Sequence, residues 1–193
     1  MGLILSTTVS AKTILIHGDS LSAAHGLPLE QGWAALLEDR LQKSPEKSHW
    51  RIVNSSISGE TTAGGLARLK NLLDKHKPDL CLIELGANDG LRGQSLSIMR
   101  SNLQKMIDDC SCHGDVVLIG MKLPPNYGKA YTDQFIETYS RLAEQNQIPL
   151  VHFLLDGVSE NPELMQQDRL HPNSHAQPII LETVWEKLKS LLE

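Results

Sequence analysis

Short apolar runs alternate along the chain with longer segments whose apolar residues recur at three- and four-residue spacing. The short runs are Thr13–His17, Arg51–Ser55, Leu80–Leu85, Val116–Gly120 and Pro149–Phe153, four of them almost wholly apolar or β-branched at their centres. Runs of that length with no in–out alternation predict strands buried on both faces. Helical patterns fall between them, near Gln31–Lys43, Thr62–His76, Ser95–Cys110 and Thr132–Asn146, and a last one runs from about His175 to Leu192. Strands separated by helical crossovers require a parallel sheet with right-handed connections and helices on both faces. The expected fold is therefore α/β, a three-layer α/β/α sandwich around a five-stranded parallel sheet. The Pro-containing stretches Ser44–Ser48, Lys122–Lys129 and Leu155–Pro172 are too short for interdomain linkers, and no internal repeat is visible. One domain over residues 13–193 is expected. The last two stretches follow strands four and five, at the sheet edge where such folds keep their sites.

Composition narrows the function class. The 193 residues carry 18 Lys and Arg against 23 Asp and Glu, a net charge of −5, with no basic block to track a phosphate backbone. Nucleic acid is not an expected partner. Apolar residues make up 40% with no run approaching the length of a membrane-spanning helix, and 21% charged residues without low-complexity tracts speak against disorder. Three cysteines, Cys81, Cys110 and Cys112, read as free thiols; Cys110-Ser111-Cys112 offers two ligands where a structural zinc needs four, and a bridge so short is strained. Residues 1–12 read as a leader or the remnant of a longer export signal, ending small in Val9-Ser10-Ala11 without a basic start.

Four segments carry candidate chemistry, each after a different strand. Strand one runs into Gly18-Asp19-Ser20-Leu21-Ser22, placing a hydroxyl on a turn that is both rigid and exposed; alone, it is an ordinary Asp/Ser turn. Strand two is followed by Ser56-Ile57-Ser58-Gly59, where a glycine lets the backbone N–H approach a substrate. Strand three ends in a turn, Gly86-Ala87-Asn88-Asp89-Gly90, whose Asn88 amide can donate to an oxyanion. After strand five comes Asp168-Arg169-Leu170-His171, a spacing that lets the carboxylate hold Nδ1–H of the imidazole while Nε2 faces elsewhere. A doubly wound sheet brings such segments to one rim. Asp19 and Asp89 are expected to hold loop backbones.

These blocks, Gly18-Asp19-Ser20, Gly59, Gly86-x-Asn88-Asp89 and Asp168-x-x-His171, resemble the four blocks of the GDSL/SGNH hydrolases in order and spacing. The resemblance runs from Thr13 over nearly the whole chain. It is closest to the bacterial branch of multifunctional thioesterases, proteases and lysophospholipases (arylesterases), through Gly18-Asp19-Ser20-Leu21-Ser22-Ala23, Asn54-Ser55-Ser56-Ile57-Ser58-Gly59, Asn88-Asp89-Gly90-Leu91-Arg92-Gly93 and Leu123-Pro124-Pro125-Asn126-Tyr127-Gly128. It implies a flavodoxin-like SGNH fold and a serine hydrolase of carboxylic esters and thioesters, with Ser20 as nucleophile, His171 as general base and Asp168 as its orienting carboxylate. Ser20 N–H, Gly59 N–H and Asn88 are implied as oxyanion donors. The Met121–Tyr131 loop, with Leu123, Pro124, Pro125 and Tyr127, is implied to border the acyl site. The partner is then a small acyl ester or thioester, with no metal or other cofactor and a monomeric chain. The branch is typically exported, which makes the periplasm or a secreted location the expectation and the cytoplasm the alternative. Two departures stand out: His17 precedes the first block where a small apolar residue is usual, and Ala24-His25 replaces a common Gly-aromatic pair at the pocket rim.

Two other classes fit parts of the pattern. Asp168, His171 and His175 superficially form a two-histidine, one-carboxylate metal set, although Pro172 disfavours a helical turn carrying both histidines on one face. A non-catalytic flavodoxin-like binding module is the other, though neither a P-loop nor a Gly-x-Gly-x-x-Gly fingerprint is present. No Gly-x-Ser-x-Gly elbow occurs, so the α/β-hydrolase arrangement is disfavoured. The other histidines read as surface or hydrogen-bonded structural residues.

Overall fold

A computed structural model describes residues 11–192, so residues 1–10 of the expected leader lie outside the described part. Five parallel strands, β1 (Lys12–Gly18), β2 (Trp50–Asn54), β3 (Leu80–Glu84), β4 (Asp115–Ile119) and β5 (Leu150–Val151), lie in the order β2-β1-β3-β4-β5. The helices are α1 (Trp33–Lys43), α2 (Thr62–His76), α3 (Ala87–Leu91), α4 (Leu96–Ser111), α5 (Lys129–Asn146) and α6 (Gln177–Leu188). Helix α1 packs on α6, whereas α4 packs on both α2 and α5, which gives the three layers expected from the apolar pattern. The central strands are the ones with continuous apolar runs: Ile14, Leu15 and Ile16 of β1 and Leu82 and Ile83 of β3 are inaccessible to solvent. Edge strand β2 is less covered, burying Trp50, exposing Arg51 and Asn54 and leaving Ile52 and Val53 half-buried.

Three elements depart from expectation. The segment after β3 is a short helix, not a simple turn. Gly86 enters it at φ +119°, and a Cβ there would meet the Tyr139 hydroxyl, so glycine is required both by conformation and by space. Strand β5, paired with β4, is only two residues long, after which the chain folds back and the Leu154 N–H donates to the Gly120 carbonyl. Helix α6 starts at Gln177 instead of His175, after a 3-10 turn whose His175 N–H is accepted by the Asn173 side chain.

What positions the site is the reversal of strand order about β1, which has β2 on one side and β3 on the other. Crossovers to opposite faces leave a crevice at the carboxyl ends of β1 and β3. Their register sets Gly18 beside Glu84, so the turns that follow, carrying Ser20 and Asn88, are neighbours although far apart in sequence. All three cysteines are free thiols; Cys81 and Cys110 are buried and Cys112 is exposed.

Candidate active site

Ser20 sits half-buried on the turn beyond β1. The turn is shaped by its own residues: the Asp19 carboxylate accepts the Leu21 N–H at 3.1 Å, and the carbonyls of Asp19 and Ser20 accept the N–H groups of Ala23 and His25. Facing Ser20 is the loop between β5 and α6, whose Asp168 folds back on itself. One carboxylate oxygen accepts the backbone N–H groups of Leu170 at 2.9 Å and His171 at 3.0 Å, and the other accepts the His171 imidazole Nδ1–H at 2.7 Å. Burial pushes the Asp168 carboxyl up, but those donors outweigh it and hold it down at about 2. An ionised Asp168 fixes the proton on Nδ1, so Nε2 is the free acceptor, and it lies 2.9 Å from the Ser20 Oγ. Both ring nitrogens of His171 are thus engaged with Asp168 and Ser20, while His175 is exposed in the following turn. This arrangement can pass a proton from Ser20 to His171, and it differs from the two-histidine, one-carboxylate metal set in leaving His175 out.

The hydrogen-bond donors arrive from the other two loops. Gly59 adopts φ +79°, a conformation that favours glycine, and Arg92 beyond α3 holds its carbonyl at 2.9 Å. Ser20 and Gly59 both leave their amides out of the hydrogen bonds of their turns. Asn88 on α3 donates one amide hydrogen to the Asp19 carboxylate at 3.0 Å, which fixes the amide group toward Asp19 and leaves its second hydrogen for the crevice. Asp89 does hold backbone: it accepts both the N–H and the hydroxyl of Thr62 at the start of α2, at 2.8 and 2.6 Å. Burial pushes the Asp19 carboxyl up to about 6, the Leu21 N–H and the Asn88 amide opposing it.

Ser20, Gly59, Asn88 and His171 border one cavity of about 570 Å³. Away from Ser20 and His171 its walls carry the apolar Met121, Leu123, Phe153, Leu155, Met165 and Leu170, together with the charged Lys122, Asp156, Glu160 and Arg169. Of the loop residues singled out from the sequence, Leu123, Pro124 and Pro125 line it. Tyr127 is not part of the lining; its hydroxyl donates to the Leu91 carbonyl at 2.8 Å and ties the loop to α3. His25, read from sequence as a rim or surface residue, is a wall residue whose ring lies 4.3 Å from that of His171. His17 is buried and structural, its ring bound to the Ser55 hydroxyl and the Gly65 carbonyl. Arg92 and the Asp19–Asn88 contact were missed because neither has a spacing signal; both pair residues from different strand ends.

A model of the GDSL-like lipase/acylhydrolase family matches residues 16–177. The esterase TesA of Pseudomonas aeruginosa is 48% identical over 190 residues, which cover 98% of this chain and 94% of that protein. The thioesterase 1/protease 1/lysophospholipase L1 of Escherichia coli K12 is 40% identical over 184 residues, covering 95% and 86%. Among solved structures, the psychrotrophic esterase EstA from Pseudoalteromonas sp., inhibited by monoethylphosphonate, has a TM-score of 0.88 at 41% identity, covering 94% of this chain and 98% of that one.

Proposed function

The chain belongs to the GDSL-like lipase/acylhydrolase family, and we propose that Ser20, His171 and Asp168 are its catalytic residues, with Ser20 N–H, Gly59 N–H and the Asn88 amide as oxyanion donors. The enzyme is a serine hydrolase of carboxylic esters and thioesters. The observation that carries the residue assignment is the unbroken chain from Ser20 Oγ to His171 Nε2 at 2.9 Å and from His171 Nδ1 to Asp168 at 2.7 Å, opening onto a cavity with an apolar wall.

A serine hydroxyl is a weak nucleophile at neutral pH, so His171 takes its proton as Oγ attacks the acyl carbon, a contribution of about 10²–10⁴ in rate. Asp168 keeps the required tautomer and stabilises the imidazolium. The carbonyl oxygen gains charge and meets three preset donors, each worth about 3–4 kcal/mol when removed. His171 then gives its proton to the departing oxygen or sulfur, leaving an acyl-serine. Water attacks that ester with the same imidazole as base and restores Ser20.

The wall formed by Leu123, Pro124, Pro125, Met121, Phe153 and Leu155 supports acyl chains of medium or long length as substrates. Initial rates on p-nitrophenyl and CoA esters of graded chain length test this; a preference for acetyl esters would refute it. A fluorophosphonate probe should label Ser20 in the folded protein and fail to label Ser20→Ala, whereas an unlabelled Ser20 would favour a binding module. No helix among the described residues is long and apolar enough to cross a membrane. We propose a periplasmic or secreted location and a monomeric enzyme, to be tested by osmotic-shock fractionation and by light scattering.

A further inference from the structure

Glu84, at the carboxyl end of β3, has no role in the chemistry above, yet it is wholly buried beside the nucleophile turn. Its Oε2 accepts the Ser22 hydroxyl at 2.7 Å and the Asp19 N–H at 3.2 Å, so one carboxyl oxygen grips residues on both sides of Ser20. Its Oε1 has no hydrogen-bond partner among the described residues. A Cβ on Gly18 would stand 2.5 Å from Oε2, so the glycine opening the turn is what admits the carboxyl against the backbone.

The surroundings are hostile to a second negative charge. From the nucleophile turn, the buried Asp19 carboxyl faces Glu84. From α5, Tyr139 is buried against the same end of β3 and donates to the Leu85 carbonyl at 3.0 Å, while Asp89 on α3 bears on Tyr139 and Asp19. An ionised carboxylate with one bare oxygen and a like charge alongside is strongly disfavoured in such a place. Burial first, and Asp19 second, push the Glu84 carboxyl well above the ordinary range.

We propose that Glu84 is a positioning residue that works as a neutral carboxylic acid, clamping the Gly18–Ser22 turn, and with it the Ser20 hydroxyl and amide, to the strand that leads into Asn88. The proposal rests on Ser20 being the nucleophile. A single carboxyl then spans the two chain segments whose spacing sets the distance from attacking oxygen to oxyanion donor. A misplacement of about 1 Å there costs on the order of 10² in rate, whereas substrate affinity, set by the apolar wall, is untouched.

The test combines a spectroscopic and a kinetic readout. At pH 8, where Asp19 is ionised, the infrared difference between the wild type and Glu84→Gln should show loss of the carbonyl stretch of a protonated carboxylic acid. Loss of a carboxylate band instead overturns the proposal. Glu84→Ala should lower kcat about tenfold or more with KM within about twofold, and Glu84→Gln, which keeps an acceptor for Ser22 and Asp19, should recover kcat to within about threefold of wild type. Ser22→Ala removes one of the two grips and should fall between. Wild-type kcat in Glu84→Ala, or a Glu84→Gln enzyme as impaired as Glu84→Ala, overturns the positioning role. Should Glu84→Ala not fold, the infrared difference and the kcat of Glu84→Gln decide. An active Ser20→Ala enzyme would refute the nucleophile assignment and leave the infrared result unchanged, so the two failures are separable.

Discussion

Ser20→Ala leaves the Asp19 turn intact, because that turn is held by the Asp19 side chain and by main-chain carbonyls, not by the serine hydroxyl. Hydrolysis of a p-nitrophenyl acyl ester should therefore vanish while the circular dichroism spectrum is unchanged; residual turnover near wild type would remove Ser20 from the mechanism. Asn88→Ala deletes one of the proposed oxyanion donors, and kcat should fall by about 10²–10³ with little change in KM. A change confined to KM would make Asn88 a binding residue. The Asp19 carboxylate that holds Asn88 is itself poised by burial at about 6. Protonating Asp19 removes the charge that holds the Asn88 amide, so kcat should fall as pH drops through about 6, and Asp19→Asn should remove the pH dependence that Asp19 contributes. An unaltered acid limb in Asp19→Asn would show that Asp19 ionisation does not matter to turnover.

At the scale of elements, the β-α alternation was legible because β1, β3 and β4 are buried on both faces and so carry unbroken apolar runs; α2 falls at its expected limits, from Thr62 to His76. Helix α3 was not legible, since five residues starting from a left-handed Gly86 have no room for a periodic pattern. That Ser20, Gly59, Asn88 and His171 meet at one cavity was readable because each block follows a strand in sequence. The apolar wall was only half readable: Leu123, Pro124 and Pro125 share a loop, but Phe153, Leu155 and Met165 come from the long connection after β5, where nothing local marks them. Tyr127 misled because an aromatic in an apolar loop suggests ligand contact, while its hydroxyl is spent on Leu91. Arg92 shows what cross-loop contacts add. It reaches from beyond α3 to the Gly59 carbonyl, so Arg92→Ala should let that peptide reorient and lower kcat about tenfold without unfolding the protein. A variant with wild-type kcat would show that Gly59 is held by its own turn.

For the molecule as a whole, three buried groups set how stability depends on pH. His17 is held down at about 4, first by burial and then by the Arg68 charge, against 6.5 for a free imidazole. Between those values the unfolded chain binds a proton that the fold refuses, so its contribution is complete above pH 6.5 and is lost as pH falls toward 4. Asp19 acts in the opposite sense. Its carboxyl stays protonated in the fold up to about 6 against 3.8 when free, so its contribution is present below 3.8 and is lost as pH rises toward 6. Glu84, also raised, loses stability with rising pH in the same way. Asp168, held down at about 2, exchanges its proton mostly below this window. From about pH 4.5 to 6 two carboxyls favour the fold in their protonated form while one imidazole opposes them, so unfolding free energy should fall as pH rises. Denaturant titrations across that range should show this fall in the wild type, a steeper one in His17→Gln and a shallower one in Asp19→Asn. If His17→Gln instead flattens the dependence, the imidazole is charged inside the fold, and its bonds to Ser55 and Gly65 are those of a buried cation.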